Sequence, residues 1–285
     1  MLSKETIQAY VDAGQMEVKV IADSISESGK RITTFQLKYP RFIHSEVMTH
    51  RVFSRNASSS RAIPVKKMIE QVRNNPAMPI HWGANQSGMQ AKNELNECFR
   101  KEVGRVWLGT AEDCVYQATL MSNMGAHKQI VNRVLEPFQQ IHVVLTATEF
   151  DNFIELRYHE DAQPEIYALA SLIKDQLEAH EPKLLKAGEW HLPYILPTEY
   201  VAYDNATLLK ISTARCCRVS YLTHDNQEPS AEADLALYER LVGSVPLHAS
   251  PTEHQAKPMT LGQYKEYQGN FSGWVQHRKL LEQTK

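Results

Sequence analysis

The sequence predicts a mixed α/β fold, and three observations carry that prediction. Residues 31–40 alternate, with Phe35, Leu37 and Tyr39 on one side, Thr34, Gln36 and Lys38 on the other, and Pro40 closing the run, which is the pattern of a half-buried strand. The run IHVVLTATEF, 141–150, is rich in β-branched residues, which pack well on a pleated surface. In 95–121 and 166–177 the apolar residues recur instead at helical spacing. A chain of 285 residues, 42% hydrophobic and 22% charged, is long and apolar enough to bury a real core.

Composition also excludes classes of function. A formal net charge of −2 does not suit a general binder of nucleic-acid polymers, which needs an excess of basic surface. Cys98, Cys114, Cys216 and Cys217 show no C-x-x-C spacing, which predicts a reduced, cytoplasmic chain with buried thiols. No apolar run approaches the ~20 residues of a membrane span, and the first residues lack a signal-peptide core, so no membrane partner is expected.

Taken in order, residues 1–30 carry mixed helical and strand signals. After the strand at 31–40, RFIHSEVMTHR places Phe42, Ile43, Val47 and Met48 on one face of a short helix. Pro64 starts the next element, VKKMIEQV. Residues 74–92, rich in Asn, Pro and Gly, read as a loop, either a lid or plain surface. Residues 93–124 read as one long helix or a pair broken near Gly109, its apolar stripe being core or a subunit interface. A helix over EIYALASLIKDQLEAHEPKLL ends at Pro182, and the Pro- and aromatic-rich EWHLPYILPTEY reads as a connector. The tail NFSGWVQHRKLLE, with Trp274 and the basic His277, Arg278 and Lys279, reads as a capped helix.

The stretch with chemistry is THRVFSRNASSSR, 49–61. It gathers His50, Arg51, Arg55, Arg61, Asn56 and several hydroxyls, with Val52, Phe53 and Ala57 as its apolar residues. Ser and Asn favour caps and turns over helix interiors, and three fixed cations so close repel one another unless an anion lies between them. The stretch therefore reads as a helix end running into an anion-holding loop, since guanidinium forks with hydroxyls and backbone N–H groups grip phosphate. His44, Glu46 and His50 do not have the spacing of a helical metal pair, and no metal site is expected.

The pattern H-R-x-x-S-x-N-x-x-S-x-R, carried by His50, Arg51, Ser54, Asn56, Ser59 and Arg61, resembles the signature of the flavin-dependent thymidylate synthases. Thr49 stands where the family has a first Arg, Ala57 where it has Glu, and Glu46 where it has Gln. NFIELR followed by A-Q-x-E-I, with Asn152, Leu156, Arg157, Ala162, Gln163, Glu165 and Ile166, resembles a second family block. HKQIVNRVLEPF resembles the region supplying a phosphate-binding Arg, best matched by Arg133, with Asn132 as the alternative register. ISTARCCRVSY, DLALYERLV and HASPTEH resemble the family's opening strand, helix and H-x-[ST]-P-x-E-H motif. In the family these precede the arginine motif; here they follow it, so the motif order looks circularly permuted, joined near 185–205 and opened near residue 30.

The resemblance implies an α/β (α+β) fold, an antiparallel central sheet flanked by helices. It implies a nucleotide- and flavin-binding half at 1–185, a connector at 186–205 and a second half at 206–285, packing as one catalytic unit. The implied activity is methylation of dUMP to dTMP, with FAD as cofactor, NADPH as reductant and methylenetetrahydrofolate as carbon donor, in a homotetramer. Arg157 and Ser59 are the implied catalytic residues, Arg157 polarising the pyrimidine where negative charge develops. Glu46, Ser59, Arg61 and Arg133 would bind substrate; Thr49, His50, Arg51, Asn152, His248, Ser250 and Glu253 would bind the flavin or its partners. Thr146 and Thr148 fall at two further flavin positions without supplying Arg or Asn. Two rivals stand beside this reading: a related flavin enzyme acting on another pyrimidine deoxynucleotide such as dCMP, or leaving a hydroxymethyl group, and a noncatalytic flavin- or nucleotide-binding protein.

Overall fold

The structure is a computed structural model and describes residues 2–219, 230–242, 244, 247–260, 262 and 265–283. Helix α1 (Lys4–Asp12), capped by the Ser3 hydroxyl on the Thr6 N–H, precedes strands β1 (Glu17–Ser26) and β2 (Arg31–Pro40). A 3₁₀ turn over Arg41–Ile43 leads into α2 (His44–Met48) and then β3 (Ser54–Ala57). Helices α3 (Val65–Asn74), α4 (Glu97–Asn123) and α5 (Lys128–Val131) follow, and a 3₁₀ segment over Asn132–Phe138 returns the chain to the sheet as β4 (Gln140–Ala147). Then come α6 (Asp151–Arg157), α7 (Pro164–Ala179), β5 (Lys183–Leu185), α8 (Glu199–Ala202), α9 (Asn205–Arg218) and α10 (Ala231–Val242). A small hairpin of β6 (Ala256–Pro258) and β7 (Trp274–Gln276) and helix α11 (His277–Gln283) complete the described chain.

The main sheet has the order β3-β4-β2-β1-β5 and is antiparallel except at the β1–β5 edge, which is parallel. The mixed α/β fold with a central sheet flanked by helices is therefore as expected. On one face Phe35, Leu37, Tyr39, Ile141, Val143 and Leu145 pack against Ile7 and Tyr10 of α1 and Ile166, Leu169 and Ile173 of α7. Burying each of those aliphatic side chains contributes about 1.5–3 kcal/mol. On the other face Val144 meets Cys216 of α9 and Val219 just beyond it. A separate cluster joins α3, α4 and the 132–138 segment through Met68, Val72, Val115, Ala118 and Leu135.

Several elements differ from the sequence reading. Strand 31–40 is not half-buried: Thr33 and Thr34 are as hidden as Phe35, because the last third of the chain covers the polar face. ISTARCCR is helical, not a strand; Asp204 caps the helix, accepting from Thr207 N–H, and Ile211, Ala214 and Cys216 turn inward. Ser220 and Tyr221, the end of that motif, lie outside the described residues. In the tail, Trp274 belongs to strand β7 and is fully buried, and helix begins only at His277. Helix α4 runs unbroken through Gly109. Its stripe divides, with Ala111, Val115 and Ala118 in the core and Phe99, Val103 and Val106 exposed. Cys216 and Cys217 are buried as expected, whereas Cys98 is exposed.

The 74–92 loop is pinned at its base. The Ala77 N–H donates to the Phe138 carbonyl, Trp107 Nε1 donates to the Ala77 carbonyl, and the Ile80 N–H donates to buried Glu165 at 2.7 Å. Gln163 caps α7 by accepting from the Ile166 N–H. The A-Q-x-E-I block thus has a structural use: cap, loop anchor and core.

Arg215 ties the last third together. Its guanidinium donates to Asp234 at 2.8 Å, to Glu199 at 2.6 and 2.7 Å and to the Tyr194 carbonyl at 2.7 Å, while Arg218 donates to the second Asp234 oxygen at 2.7 Å. Asp234 has no exposure, so both its oxygens depend on these partners. Asp234→Asn keeps the shape but turns one acceptor into a donor facing a guanidinium. It should cost about 1.5–3 kcal/mol of stability, read as a lowered midpoint in urea unfolding with an unchanged slope.

Candidate active site

Strand β3 is the spine of the site. Its side chains alternate, Ser54 and Asn56 buried and Arg55 and Ala57 partly exposed. On one side Arg55 reaches the end of α2, where Nη1 donates to the carbonyls of Val47, Met48 and His50 at 3.1–3.2 Å. The Val47 and His50 carbonyls also accept the N–H groups of His50 and Phe53, each at 3.3 Å, and a cation at this helix end complements the helix dipole. On the other side Asn56 Nδ2 donates to the Cys216 carbonyl at 2.8 Å, and Ser54 Oγ accepts from Gln276 Nε2 at 3.1 Å. The sequence suggested a helix end running into an anion-holding loop over 49–61. The middle of the stretch is instead a strand paired with β4, and the loop begins at Ser58.

The turn between α2 and β3 carries Thr49, His50 and Arg51. Arg157, the last residue of α6, donates from Nε to His50 Nε2 at 3.0 Å and from Nη2 to Thr49 Oγ1 at 3.3 Å. It makes no ion pair with Glu160 or Asp161; Asp161 pairs with Lys92. An arginine can only donate, so His50 Nε2 carries the lone pair and its proton sits on Nδ1. Burial, then the guanidinium of Arg157, then that of Arg55 lower the His50 pKa, keeping the ring neutral. The ring lies 5.8 Å from Phe53 and 4.9 Å from Phe153, which fix its orientation. Arg51 is exposed beside it, Asn152 is exposed at the start of α6, and Glu46 is partly exposed on α2, its carbonyl accepting from the Thr49 hydroxyl at 2.6 Å.

Beyond β3 the loop carries Ser59 and Arg61, the first partly exposed and the second exposed. Ser60 Oγ donates to Glu136 at 3.2 Å, and that same oxygen takes Arg133 at 2.8 Å and Arg41 at 3.0 Å. Arg133 is half exposed, whereas Asn132 is buried with its amide turned into the loop backbone. Of the two registers, Arg133 is the one whose cation faces solvent at the loop.

The HASPTEH block meets this constellation across 194 positions of sequence: Ser250 Oγ donates to Asn56 Oδ1 at 3.3 Å. Glu253 accepts from Arg278 of α11, and His248 is exposed, its N–H donating to the Leu241 carbonyl. Thr146 is not free to face a ligand. It lies in a buried chain in which Ser24 meets His191 (2.9 Å), His191 meets Thr34 (2.8 Å), Thr34 meets Thr146 (2.7 Å) and Thr146 meets His254 (2.9 Å). Thr148 Oγ1 accepts from the Ser272 N–H at 2.9 Å.

The structure thus joins Thr49, His50 and Arg157, and Ser250 to the far face of β3. Asn152, His248 and Arg61 make no side-chain hydrogen bond to the others among the described residues. Arg41 and Glu136 carry no signal in the sequence, and Arg278 stands there as one of the tail's basic residues without a role. Each sits in an unremarkable local context and acquires meaning from a partner distant in the fold or one turn away.

A UMP/dUMP methylase, PolB from Streptomyces cacaoi, is similar at 15% identity and a TM-score of 0.46, over 57% of this chain and 88% of that one. Thymidylate Synthase X from Helicobacter pylori, solved with FAD and dUMP, is similar at 16% identity and a TM-score of 0.37, over 51% and 66%. No curated protein matches the chain. The family model described as thymidylate synthase complementing protein matches residues 30–183, from the start of β2 into β5, and so contains the arginine stretch, Arg133, Asn152 and Arg157. That match spans more than half of the chain, which belongs to the thymidylate synthase complementing protein family, the flavin-dependent thymidylate synthases that its arginine stretch resembles.

Proposed function

We propose that this protein methylates dUMP to dTMP with FAD as cofactor, methylenetetrahydrofolate as carbon donor and NADPH as reductant. The observation that carries the reading is Arg157 meeting Thr49 and His50 in the turn that leads, through four residues of strand, to the Ser59–Arg61 loop. One short segment thereby offers an oriented guanidinium for the base and hydroxyls and cations for the phosphate. Arg61, Ser59 and Arg133 bind the phosphate, and Glu46 lies beside the nucleotide. Arg157 stabilises the negative charge that develops on the pyrimidine, with Ser59 as its catalytic companion.

The donor set fits a flavin dinucleotide. Arg51 is an exposed cation suited to the pyrophosphate, and the Asn152 amide, His50, Thr49 and Ser250 supply neutral donors and acceptors around it. Glu253 takes part by holding Arg278, and His248 lies toward the folate or nicotinamide. When bound, the flavin supplies the redox step, and these residues orient it and exclude water.

The exposed Phe99, Val103 and Val106 of α4 support assembly into a homotetramer, in which the two halves of the chain, 1–185 and 206–285, serve sites shared between subunits. The permuted order is supported by the β6–β7 hairpin, where Ala256 and Trp274 pack on Ile32 at the start of β2, so that the end of the second half lies against the opening of the first. We read the protein as cytoplasmic; no described helix is long and apolar enough to cross a membrane.

Glu46 and Ala57, which depart from the family pattern, favour dCMP or a hydroxymethyl product as the second reading, because each changes the charge offered to the base. The test is tritium release from C5-labelled dUMP and dCMP with FAD, NADPH and methylenetetrahydrofolate. Release from dUMP with dTMP formed is expected. Release from dCMP alone moves the activity to the second substrate, and release from neither overturns the catalytic reading.

A further inference from the structure

The loop that leaves β3 has its carbonyls engaged on one side. The Ser59 carbonyl accepts the N–H groups of Ala62 at 2.9 Å and Ile63 at 3.1 Å. The Ser60 carbonyl accepts Asn132 Nδ2 at 2.6 Å, and the Ile63 carbonyl accepts the same amide nitrogen at 3.0 Å. The Ala62 carbonyl accepts Lys128 Nζ at 2.9 Å. The N–H groups of Ser59, Ser60 and Arg61, by contrast, have no hydrogen-bond partner among the described residues, nor has the Ser59 hydroxyl. Successive N–H groups left over in this way form a fixed positive partial charge suited to an anion.

Asn132 is an odd choice for stability alone. It is wholly buried, and its Oδ1 has no partner among the described residues. A buried amide oxygen left bare is destabilising, whereas an aliphatic residue there would leave none. What the amide does supply is two N–H groups, both spent on loop carbonyls. Lys128, first residue of α5, adds a third tether and places a cation behind the loop.

We infer that Asn132 and Lys128 are positioning residues that hold the Ser59–Ile63 turn with its N–H groups presented to the phosphate of the nucleotide, without touching the nucleotide themselves. The inference rests on the proposed reading that this loop takes the phosphate. It separates Asn132 from its neighbour: Arg133 offers charge to the ligand, and Asn132 shapes the surface the ligand meets.

The experiment measures binding of dUMP and of deoxyuridine, which lacks the phosphate, to the flavin-loaded protein by calorimetry, together with steady-state kinetics in dUMP. Asn132→Ala and Lys128→Ala should each weaken dUMP binding about tenfold or more, the size of a lost charged hydrogen bond. Deoxyuridine binding should stay within about twofold, and the loss in turnover should fall on KM and not on kcat. Equal weakening of both ligands would mean a merely structural role and would overturn the inference. Arg61→Ala is the arm for the underlying reading, since Arg61 meets the phosphate directly. Loss of dUMP affinity there but in neither positioning variant sinks the inference and leaves the reading standing. No loss in Arg61→Ala sinks the reading itself. If Asn132→Ala does not fold, half-buried Lys128→Ala decides the matter.

Discussion

Arg157→Ala should lower nucleotide turnover by roughly 10²–10³, or about 2.7–4 kcal/mol, the usual loss when one donor to a developing anion is removed. The side chain stands on α6 with its fork already aimed, Nε at His50 and Nη2 at Thr49, so little reorganisation is needed when the base arrives. Arg157→Lys keeps the charge but cannot make both bonds, and should recover only part of the rate. A spectroscopic companion distinguishes loss of charge from loss of fold. Arg157 is one of two cations that hold the His50 pKa down, so in Arg157→Ala the imidazole resonances should titrate at higher pH than in the parent, with the rest of the spectrum unchanged. Parent-like kcat in a folded Arg157→Ala protein would remove this residue from the chemistry.

The second large effect is on stability in acid. His191 and His254 are fully buried in the hydroxyl–imidazole chain across the sheet, and burial pushes each down to about 3 from an ordinary 6.5. The folded protein therefore holds both rings neutral, while the unfolded chain takes up protons below pH 6.5. Stability is fully present above that pH and is lost as the pH falls toward 3. Each ring contributes a slope of about 1.4 kcal/mol per pH unit, so the pair removes roughly 5 kcal/mol between pH 6 and pH 4. Urea unfolding at half-unit pH steps reads this slope. His254→Gln should lower it by one ring's share, about 2.5 kcal/mol between pH 6 and pH 4, while His191 keeps its share, as do His44 and His277, which burial pushes down to about 4; a slope unaltered by the substitution would show that His254 does not contribute to the acid transition.

This buried chain marks where sequence reading stopped. The alternation at 31–40 identified the strand and its core side, Phe35, Leu37 and Tyr39, because that face meets α1 and α7 through simple apolar contact. It assigned the Thr34 side to solvent, as a two-residue period must. That side is covered by His191 and His254, whose pairing with Thr34 and Thr146 depends on chain segments more than a hundred residues away. The same limit explains 205–218. The likeness of ISTARCCR to a family motif implies a strand, whereas NATLLK ahead of it, capped by Asp204, starts a helix that Arg215 then anchors to Asp234 and Glu199. Arg157 is singled out through its place in a block that resembles the family's, and His50 through the arginine stretch; the structure brings the two to hydrogen-bond distance of each other. Arg41 and Glu136 could not be singled out, because a charge becomes informative only when its partner is known.

The four residues of β3 also set a timetable. Ser54 and Asn56 bind groups contributed by residues 216, 250, 270 and 276, so the far face of the site closes only after synthesis has passed residue 276. Closing a loop of 194 residues costs about 4–5 kcal/mol of chain entropy before the contact repays it. Formation of the sheet and completion of the site are thus separate events in folding, and a chain stalled on the ribosome short of the hairpin has its Ser59–Ile63 loop but not the contacts on the far face of β3.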